Sequence, residues 1–332
     1  MSRPPAPLPS ALGGEFSCSA ASAIGISAKR MRARDLETPF RGVRRRVPPA
    51  GDGAATDAAD HTPLAADRAL ERRVRADARA YALIMGPGSF FCGRTAAVLF
   101  GIGIGHGDEL EVGVIAPARA PRRRGIRGRQ WAPSHVEVTE VAGLRVSTPA
   151  STWAMLARES DVAELVRAGD GFVRVPRGPG RHPMPLDRLA TPEELASAAS
   201  AGRRVGAARL AEALTLIRVG SMSPLETDCR LVLTAAGLPE PVLDVEIRDR
   251  AGRLVGIADA AWPDYRVLAE VEGDHHRTSR RQWVRDIERH AALTALGFDV
   301  VRLTSAHIRH PRPAAVSLVG DALRRRGWSP QA

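Results

Sequence analysis

Three carboxylates fall on two neighbouring apolar segments in the last quarter of the sequence. Asp259 lies in the first segment, and Glu270 and Glu272 lie in the second, with Trp-Pro-Asp-Tyr between them. Because the side chains of a strand alternate between its two faces, Glu270 and Glu272 share one face. If Pro263 to Arg266 forms a tight turn, antiparallel pairing places Asp259 opposite Glu270. The spacing therefore predicts three carboxylates in one patch of a hairpin.

Carboxylates this close together repel one another. Two unit charges about 5 Å apart repel by on the order of 3 kcal/mol at an effective dielectric constant of about 20. That repulsion corresponds to about two pKa units, so the patch needs either protons or a cation. A divalent metal ion held by Asp259, Glu270 and Glu272 meets this need. The alternative for Asp259 and Glu270 is a polar sheet face paired with Arg266 or Arg302, and the alternative for Glu272 is a solvated carboxylate at a strand end.

Two further side chains near the hairpin are candidates for catalysis. Glu226 ends the sequence Ser-Pro-Leu-Glu, whose spacing is that of a helix capping box, so capping alone also explains it. His276 is the second of two histidines that follow Gly273 and Asp274. It is the candidate for shuttling a proton or orienting a water molecule, and the alternative is an ordinary surface histidine.

The helix predicted after the histidines presents polar side chains on one face. Gln282, Asp286 and Arg289 have the spacing of helical neighbours and could approach a phosphate. The alternative is an ion pair between Asp286 and Arg289 within the helix. Trp262 and Trp283 are most simply core residues.

The elements that position these residues follow from caps, periodicity and turn residues. Ser223 and Pro224 predict a helix start, Gly237 a helix end, and Gly297 the end of a second long helix. The pattern from Ser223 to the C-terminal helix predicts an α+β fold with the order α-β-β-β-α-β-α. Its predicted elements are a helix over 224–235, strands over 242–247, 254–262 and 267–272, a helix over 279–296, a strand over 298–303 and a helix over 313–326.

The positive charge of the chain is concentrated in its first two thirds. The net charge is +11, yet residues 221–332 contain 16 arginines and 15 acidic residues, so 1–220 carry nearly all of the excess. Six arginines fall in a predicted loop over 116–129. Arginine binds phosphate through planar, bidentate contacts, so this loop is the candidate nucleic-acid contact, and a solvated loop is the alternative. The candidate DNA-binding residues are Arg122, Arg123, Arg124, Arg127 and Arg129.

A chain of 332 residues is long enough for two domains. Composition predicts a disordered N-terminus over 1–28, a scaffold or recognition domain over 29–220 with a flexible segment near 48–67, and a second domain over 221–328. Three widely spaced cysteines argue against a disulfide framework or a zinc knuckle. The sequence shows no signal peptide or membrane span, which predicts a cytoplasmic protein without a membrane partner.

The hairpin and the elements around it resemble the PD-(D/E)xK nuclease core. Residues 223–328 are similar to the endonuclease-like domain related to very-short-patch-repair endonucleases, and residues 30–220 resemble an N-terminal region with the winged-helix domain of abortive-infection-type antitoxins. The segments that carry the resemblance are SPLE, ADAAWPDYRVLAEVEGDHH, RQWVRDIERHAALTALGFDVVRLT and RRRGW in the C-terminal part, and FRGVRRR, FFCGRTAAVLFGI, RVSTPASTW and ELVRAGDGF in the N-terminal part.

The resemblance implies a restriction-endonuclease-like core that hydrolyses DNA phosphodiesters with Mg²⁺ or Mn²⁺. Asp259 and Glu270 would be metal ligands, with Glu226 assisting from its helix. The chain departs from the signature at Glu272, where the signature has lysine, and residues 221–332 contain no lysine at all. His276 or a second ion could then lower the pKa of a metal-bound water.

Two other functions remain open from the sequence. One is a DNA-binding, antitoxin-like regulator whose nuclease core is vestigial. The other is a structural partner in a defence complex. The retained Asp259, Glu270 and Glu272 favour the enzyme, because like charges without a function destabilise a fold. A homodimer and a partner protein from a defence system are both compatible with the sequence.

Overall fold

The computed structural model describes residues 5–47, 65–272 and 280–330, without the side chains of residues 280–285. Helices and mixed sheets give an α+β fold, as predicted. The chain divides into two compact units, Met1–Leu156 and Ala157–Ala332. The helices between 162 and 216, which the sequence analysis assigned to the first domain, belong to the second unit.

The N-terminal segment of the first unit is a small three-stranded sheet with one helix. Its elements are β1 (Glu15–Ser17), α1 (Cys18–Ala23), β2 (Leu36–Glu37) and β3 (Val43–Arg46), in the sheet order β1-β3-β2. Phe16 and Met31 are buried in its core. The structure therefore differs from the predicted disorder of residues 1–28 over the part that it describes. Most of the segment predicted to be flexible, residues 48–64, lies outside the described residues.

The rest of the first unit is built on a six-stranded sheet of order β6-β7-β5-β4-β9-β8. The arginine-rich stretch predicted as a loop is instead the hairpin of β6 and β7, turned at Gly125, whose φ of 80° suits glycine. The elements are α2 (Ala65–Ala82), β4 (Phe90–Phe91), α3 (Gly93–Leu99), β5 (Leu110–Ile115), β6 (Arg122–Arg123), β7 (Ile126–Trp131), β8 (Val138–Val141), β9 (Leu144–Ser147) and α4 (Pro149–Leu156).

The second unit begins with three helices, α5 (Val162–Val173), α6 (Pro192–Ser200) and α7 (Ala207–Leu216). Asp170 of α5 is buried and accepts hydrogen bonds from the Arg218 backbone N–H at 2.8 Å and from Thr227 Oγ1 at 2.9 Å. Its carboxylate also pairs with Arg230 at 2.7 Å, and the two side chains are 1% and 2% exposed. This buried ion pair joins α5 to the helix that follows α7.

The remaining elements form a four-stranded sheet of order β10-β11-β12-β13 with helices around it. The first three strands pair antiparallel and β13 pairs parallel with β12. The predicted order α-β-β-β-α-β-α is confirmed over the described residues, with one added short helix. The elements are α8 (Pro224–Ala235), β10 (Val242–Arg248), β11 (Leu254–Trp262), β12 (Val267–Glu272), α9 (Arg280–Ala295), β13 (Asp299–Thr304), α10 (Ser305–Ile308) and α11 (Ala314–Arg325).

Two apolar clusters cover this sheet. Leu233 of α8 and Val319 of α11 pack with Ala269 in the larger cluster. Leu293 of α9 packs with Leu268 in the other, so successive residues of β12 belong to different clusters. This alternation fixes which face of β12 each carboxylate takes, because a slip by one residue would exchange the faces. No helix within the described residues is long and apolar enough to cross a membrane.

Candidate functional site

Three carboxylates line up across neighbouring strands of the four-stranded sheet. Strand β11 pairs with β12 at Ala260 and Ala269, and continuing this register places Asp259 opposite Glu270, in agreement with the prediction. Strand β10 pairs with β11 on both sides of Asp244, which places Asp244 beside Asp259. We call Asp244, Asp259 and Glu270 the carboxylate row.

The two central strands stop pairing where the row crosses them. Their observed backbone pairs run from Trp262 to Ala260 on β11, and Asp259 comes next. The Asp259 carboxylate accepts a hydrogen bond from the Val271 backbone N–H at 2.7 Å, so the side chain takes the place of a strand partner. This bond fixes the orientation of Asp259 and holds a carboxylate at the point where the sheet opens.

Helix α8 brings a fourth carboxylate to the row. Ser223 caps the helix by accepting the Glu226 backbone N–H at 3.3 Å, as the sequence predicts. The Glu226 carboxylate accepts the Met222 backbone N–H at 2.7 Å and the Ser223 hydroxyl at 2.9 Å. It therefore contacts the residue before the cap, which differs from a regular capping box. The helix end holds this side chain beside Asp259.

Burial and mutual repulsion raise the pKa values of these carboxyls. Burial raises the pKa of Glu226 to about 7, and the charge of Asp259 adds to the effect. Burial likewise raises the pKa of Asp259 to about 6, with Glu270 and Asp244 adding to the rise and the Val271 N–H opposing it. Burial also raises the pKa of Glu270, against the opposing charges of Arg289 and Arg302.

Arginines pair with the carboxylates at the sides of the site. Arg289 of α9 binds Glu270 through two bonds, Nη1 to Oε1 at 2.7 Å and Nη2 to Oε2 at 3.1 Å. Arg302 of β13 pairs with Glu272, whereas the polar-face alternative expected this arginine to pair with Asp259 or Glu270. Within the described residues, neither Asp259 nor Glu226 forms an ion pair. Asp259 and Glu226 thus form a pair of half-buried carboxylates at the centre of the site, and neither is paired with an arginine among the described residues.

Asp244 and its partner were not predicted from the sequence. Asp244 adopts a φ of 54°, in the left-handed region that few residues other than glycine, asparagine and aspartate occupy. Arg177, from the loop between α5 and α6, binds its carboxylate with Nε at 2.9 Å from Oδ1 and binds Glu246 at 2.9 Å. A single acidic residue in a strand is not a recognisable sequence signal. Asp244 is identified as part of the site only by the strand register that places it beside Asp259.

The structure places the other predicted site residues as follows. His276 lies outside the described residues, as does the side chain of Gln282. The predicted ion pair between Asp286 and Arg289 is wrong, because Arg289 binds Glu270 instead. The described residues bring no three histidine, cysteine, aspartate or glutamate side chains together in a group that could hold a metal ion. The Glu270 oxygens that a cation would need are bound by Arg289.

The candidate DNA-binding arginines lie on the β6–β7 hairpin of the first unit. Arg122, Arg123, Arg124 and Arg127 are exposed, and Arg129 is half-buried. Arg122 lies directly across from Arg127, so like charges face each other across the two strands. Arg127 also pairs with Glu111 at 3.6 Å. Three exposed consecutive arginines, Arg122 to Arg124, leave a strongly positive tip on the hairpin.

Comparison with known proteins gives relatives without a described function. The chain is 34% identical over 116 residues to the uncharacterized protein MT2308 of Mycobacterium tuberculosis strain CDC 1551 / Oshkosh. It matches the uncharacterized protein Rv2248 of Mycobacterium tuberculosis strain ATCC 25618 / H37Rv to the same extent. The match covers 35% of this chain and 42% of the length of each relative. No family model matches the chain.

Proposed function

We propose that the chain is a metal-dependent endonuclease that hydrolyses DNA phosphodiester bonds. The observation that carries this proposal is the pair Asp259 and Glu226, two half-buried carboxyls with pKa values of about 6 and about 7 and no ion pair in the described part of the chain. Such a pair binds either a proton or a cation at neutral pH. The resemblance to PD-(D/E)xK nucleases supports a restriction-endonuclease-like fold for residues 221–328 as part of the same proposal.

The residues present fit a hard divalent cation in their chemistry. Carboxylate oxygens are the ligands that Mg²⁺ and Mn²⁺ prefer, and Asp259, Glu270 and Glu272 supply them. A bound ion would neutralise charge on the phosphate and lower the pKa of a water molecule. Glu272 can join the set only by giving up its pairing with Arg302, and Glu270 only by sharing or releasing Arg289.

Hydrolysis adds one water molecule across a P–O bond. The water oxygen forms a bond to phosphorus, the bond from phosphorus to the leaving oxygen breaks, and the leaving oxygen takes up a proton. Glu226 accepts the proton that the attacking water loses, because a carboxylate with a pKa of about 7 is matched to proton transfer at neutral pH. The backbone N–H of Met222 and the hydroxyl of Ser223 orient the Glu226 carboxylate for this role.

The direct test is cleavage of supercoiled plasmid and of labelled oligonucleotides by purified protein in Mg²⁺, in Mn²⁺ and in EDTA. We expect metal-dependent cleavage that falls about 100-fold in Asp259→Asn and in Glu270→Gln, because a carboxylate ligand is removed without a change in shape. Glu288→Gln, which neutralises an exposed glutamate on α9, is the matched control and should cleave at the wild-type rate.

Each alternative outcome has a defined meaning. Cleavage that persists in both site variants would place the activity in a contaminant or at another site. Absence of cleavage with retained DNA binding would favour the DNA-binding, antitoxin-like regulator. The proposal also places the protein in the cytoplasm, gives it a role in DNA repair or defence, and includes a homodimer or a partner protein from a defence system. These further parts depend on cleavage being found.

The exposed arginine tip of the β6–β7 hairpin supports DNA binding under either function. Changing Arg122, Arg123 and Arg124 to alanine should weaken binding and lower the slope of log affinity against log salt by about 1 for each phosphate that the variant no longer binds. The control is the same change at Arg324, Arg325 and Arg326, which are also exposed and consecutive. Fluorescence anisotropy over a salt series measures both slopes. Equal slopes in the two triple variants would exclude the hairpin as a phosphate-binding element.

A further inference from the structure

Every basic residue in 221–332 other than histidine is an arginine. Among those whose side chains the structure describes, Arg289 binds a member of the carboxylate row. Arg289 binds both oxygens of Glu270, and its charge also opposes the rise in the pKa of Asp259. Arg302, the other nearby arginine, binds Glu272 and is 54% exposed. Among the described residues, Arg289 is therefore the arginine whose charge acts on both Asp259 and Glu270.

The backbone under Arg289 leaves space for its side chain. Gly256 of β11 faces the aliphatic part of Arg289, and a Cβ at that position would lie 3.3 Å from Cδ and 3.5 Å from Cγ. That contact is closer than most methyl groups make, so glycine lets the arginine lie flat across β11. The guanidinium is thereby guided to Glu270 from a helix that packs against the same sheet through Leu293.

The pairing of Arg289 with Glu270 suits a group that changes its partner. The Arg289 side chain is 28% exposed, whereas that of Glu270 is 9% exposed, so a ligand can reach the guanidinium from solvent. If Glu270 held a cation, the two bonds between Glu270 and the Arg289 guanidinium would be released. A phosphate oxygen is then the natural new partner, because a guanidinium binds phosphate in the same bidentate way as it binds a carboxylate.

We propose that Arg289 is a catalytic residue that contacts the scissile phosphate and stabilises its negative charge during hydrolysis. This inference rests on the proposed nuclease function. In the free protein Arg289 pairs with Glu270. In the complex Arg289 would transfer its two hydrogen bonds to phosphate oxygens, which would leave Glu270 free to hold the cation. It supplies positive charge and no proton transfer, because arginine stays protonated in proteins.

The test compares Arg289→Ala and Arg289→Lys with the wild type in single-turnover cleavage at saturating DNA and Mg²⁺. We expect Arg289→Ala to cleave at least tenfold more slowly, because a charge-stabilising donor to the phosphate is removed. Guanidinium ions added to Arg289→Ala should restore part of the rate. Arg289→Lys keeps the charge but not the paired bonds and should fall between the two. Arg253→Ala, which removes an exposed arginine paired with Asp249, should cleave like the wild type.

Binding of Mn²⁺ separates this role from a structural one. Removal of Arg289 frees the Glu270 oxygens, so Arg289→Ala should bind Mn²⁺ at least as tightly as the wild type in a calorimetric titration, and thermal unfolding confirms that the variant folds. Wild-type rates in Arg289→Ala, or loss of its Mn²⁺ binding together with cleavage, would overturn the inference while the nuclease stands. If the wild type cleaves no DNA, the proposed function and this inference both fail.

The substitution Gly256→Ala gives an independent check. A methyl group there would lie 3.3 Å from Cδ of Arg289, so the arginine stem must shift by a few tenths of an ångström while no charge is removed. We expect a slower single-turnover rate with unchanged DNA affinity, because the guanidinium no longer reaches the phosphate in the right place. A wild-type rate in a folded Gly256→Ala variant would show that the packing of Arg289 against Gly256 of β11 has no part in the reaction.

Discussion

Glu226→Gln is expected to stabilise the second unit at pH 8 by about 3 kcal/mol. The pKa of Glu226 is about 7 in the folded protein against an ordinary value of 4.5, and each pKa unit corresponds to about 1.4 kcal/mol. The folded state binds the Glu226 proton more tightly than the unfolded state does. The stability that this proton contributes is therefore complete below about pH 4.5 and is lost as the pH rises to about 7. Glutamine resembles the protonated acid and keeps the contacts with Met222 and Ser223.

Urea unfolding of wild type and variant at pH 4.5 and pH 8 measures this effect. The two proteins should have nearly equal stability at pH 4.5 and differ at pH 8, whereas Glu212→Gln, at an exposed position on α7, should change little at either pH. A Glu226→Gln protein that is less stable than the wild type at pH 8 would show that the carboxylate carries no penalty. Mn²⁺ should narrow the difference at pH 8, because a bound ion attracts the ionised Glu226 carboxylate and so stabilises the wild type more than the variant.

Asp170→Ala is expected to destabilise the second unit by about 3 to 5 kcal/mol. Asp170 and Arg230 are almost fully buried, and removal of one partner leaves the other charge buried. The alanine also leaves the Arg218 N–H and the Thr227 hydroxyl without their acceptor. Burial raises the pKa of Asp170 against the charge of Arg230, so the pair is costly to bury and costly to break.

Comparison with a double variant that removes both charges tests this prediction. The double variant Asp170→Leu with Arg230→Met should be more stable than Asp170→Ala, because no charge is left unpaired. Asp321→Ala, which breaks an exposed pair with Arg324, should cost less than about 1 kcal/mol. A cost for Asp170→Ala as small as that of the exposed pair would mean that water reaches Arg230 in the variant.

The second unit was largely predictable because its elements have strong local signals. Ser223 and Pro224 start α8, Gly237 and Gly297 end α8 and α9, and Pro263 begins the turn that fixes the register of Asp259 with Glu270. These signals depend on neighbouring residues alone. The order of elements and the opposed carboxylates therefore followed from the sequence.

What was missed depends on contacts distant in sequence or on single residues. Arg289 has an acidic neighbour three residues before it, yet its partner lies on another strand. The composition of residues 1–28 is that of a disordered segment, but one aromatic side chain, Phe16, anchors β1 in a small core. The arginines of β6 and β7 hide a hairpin, because they break the apolar alternation that reveals most strands.

The parallel pairing of β12 with β13 also has a consequence for when the site can exist during synthesis. Glu270 lies opposite Arg302, and the chain between them must pass through the whole of α9 before the two strands can meet. Contacts separated by this much sequence form late in folding. A nascent chain that ends before Thr304 contains every carboxylate of the site but not the complete strand against which β12 is aligned. The site therefore reaches the geometry described here only after β13 has been synthesised.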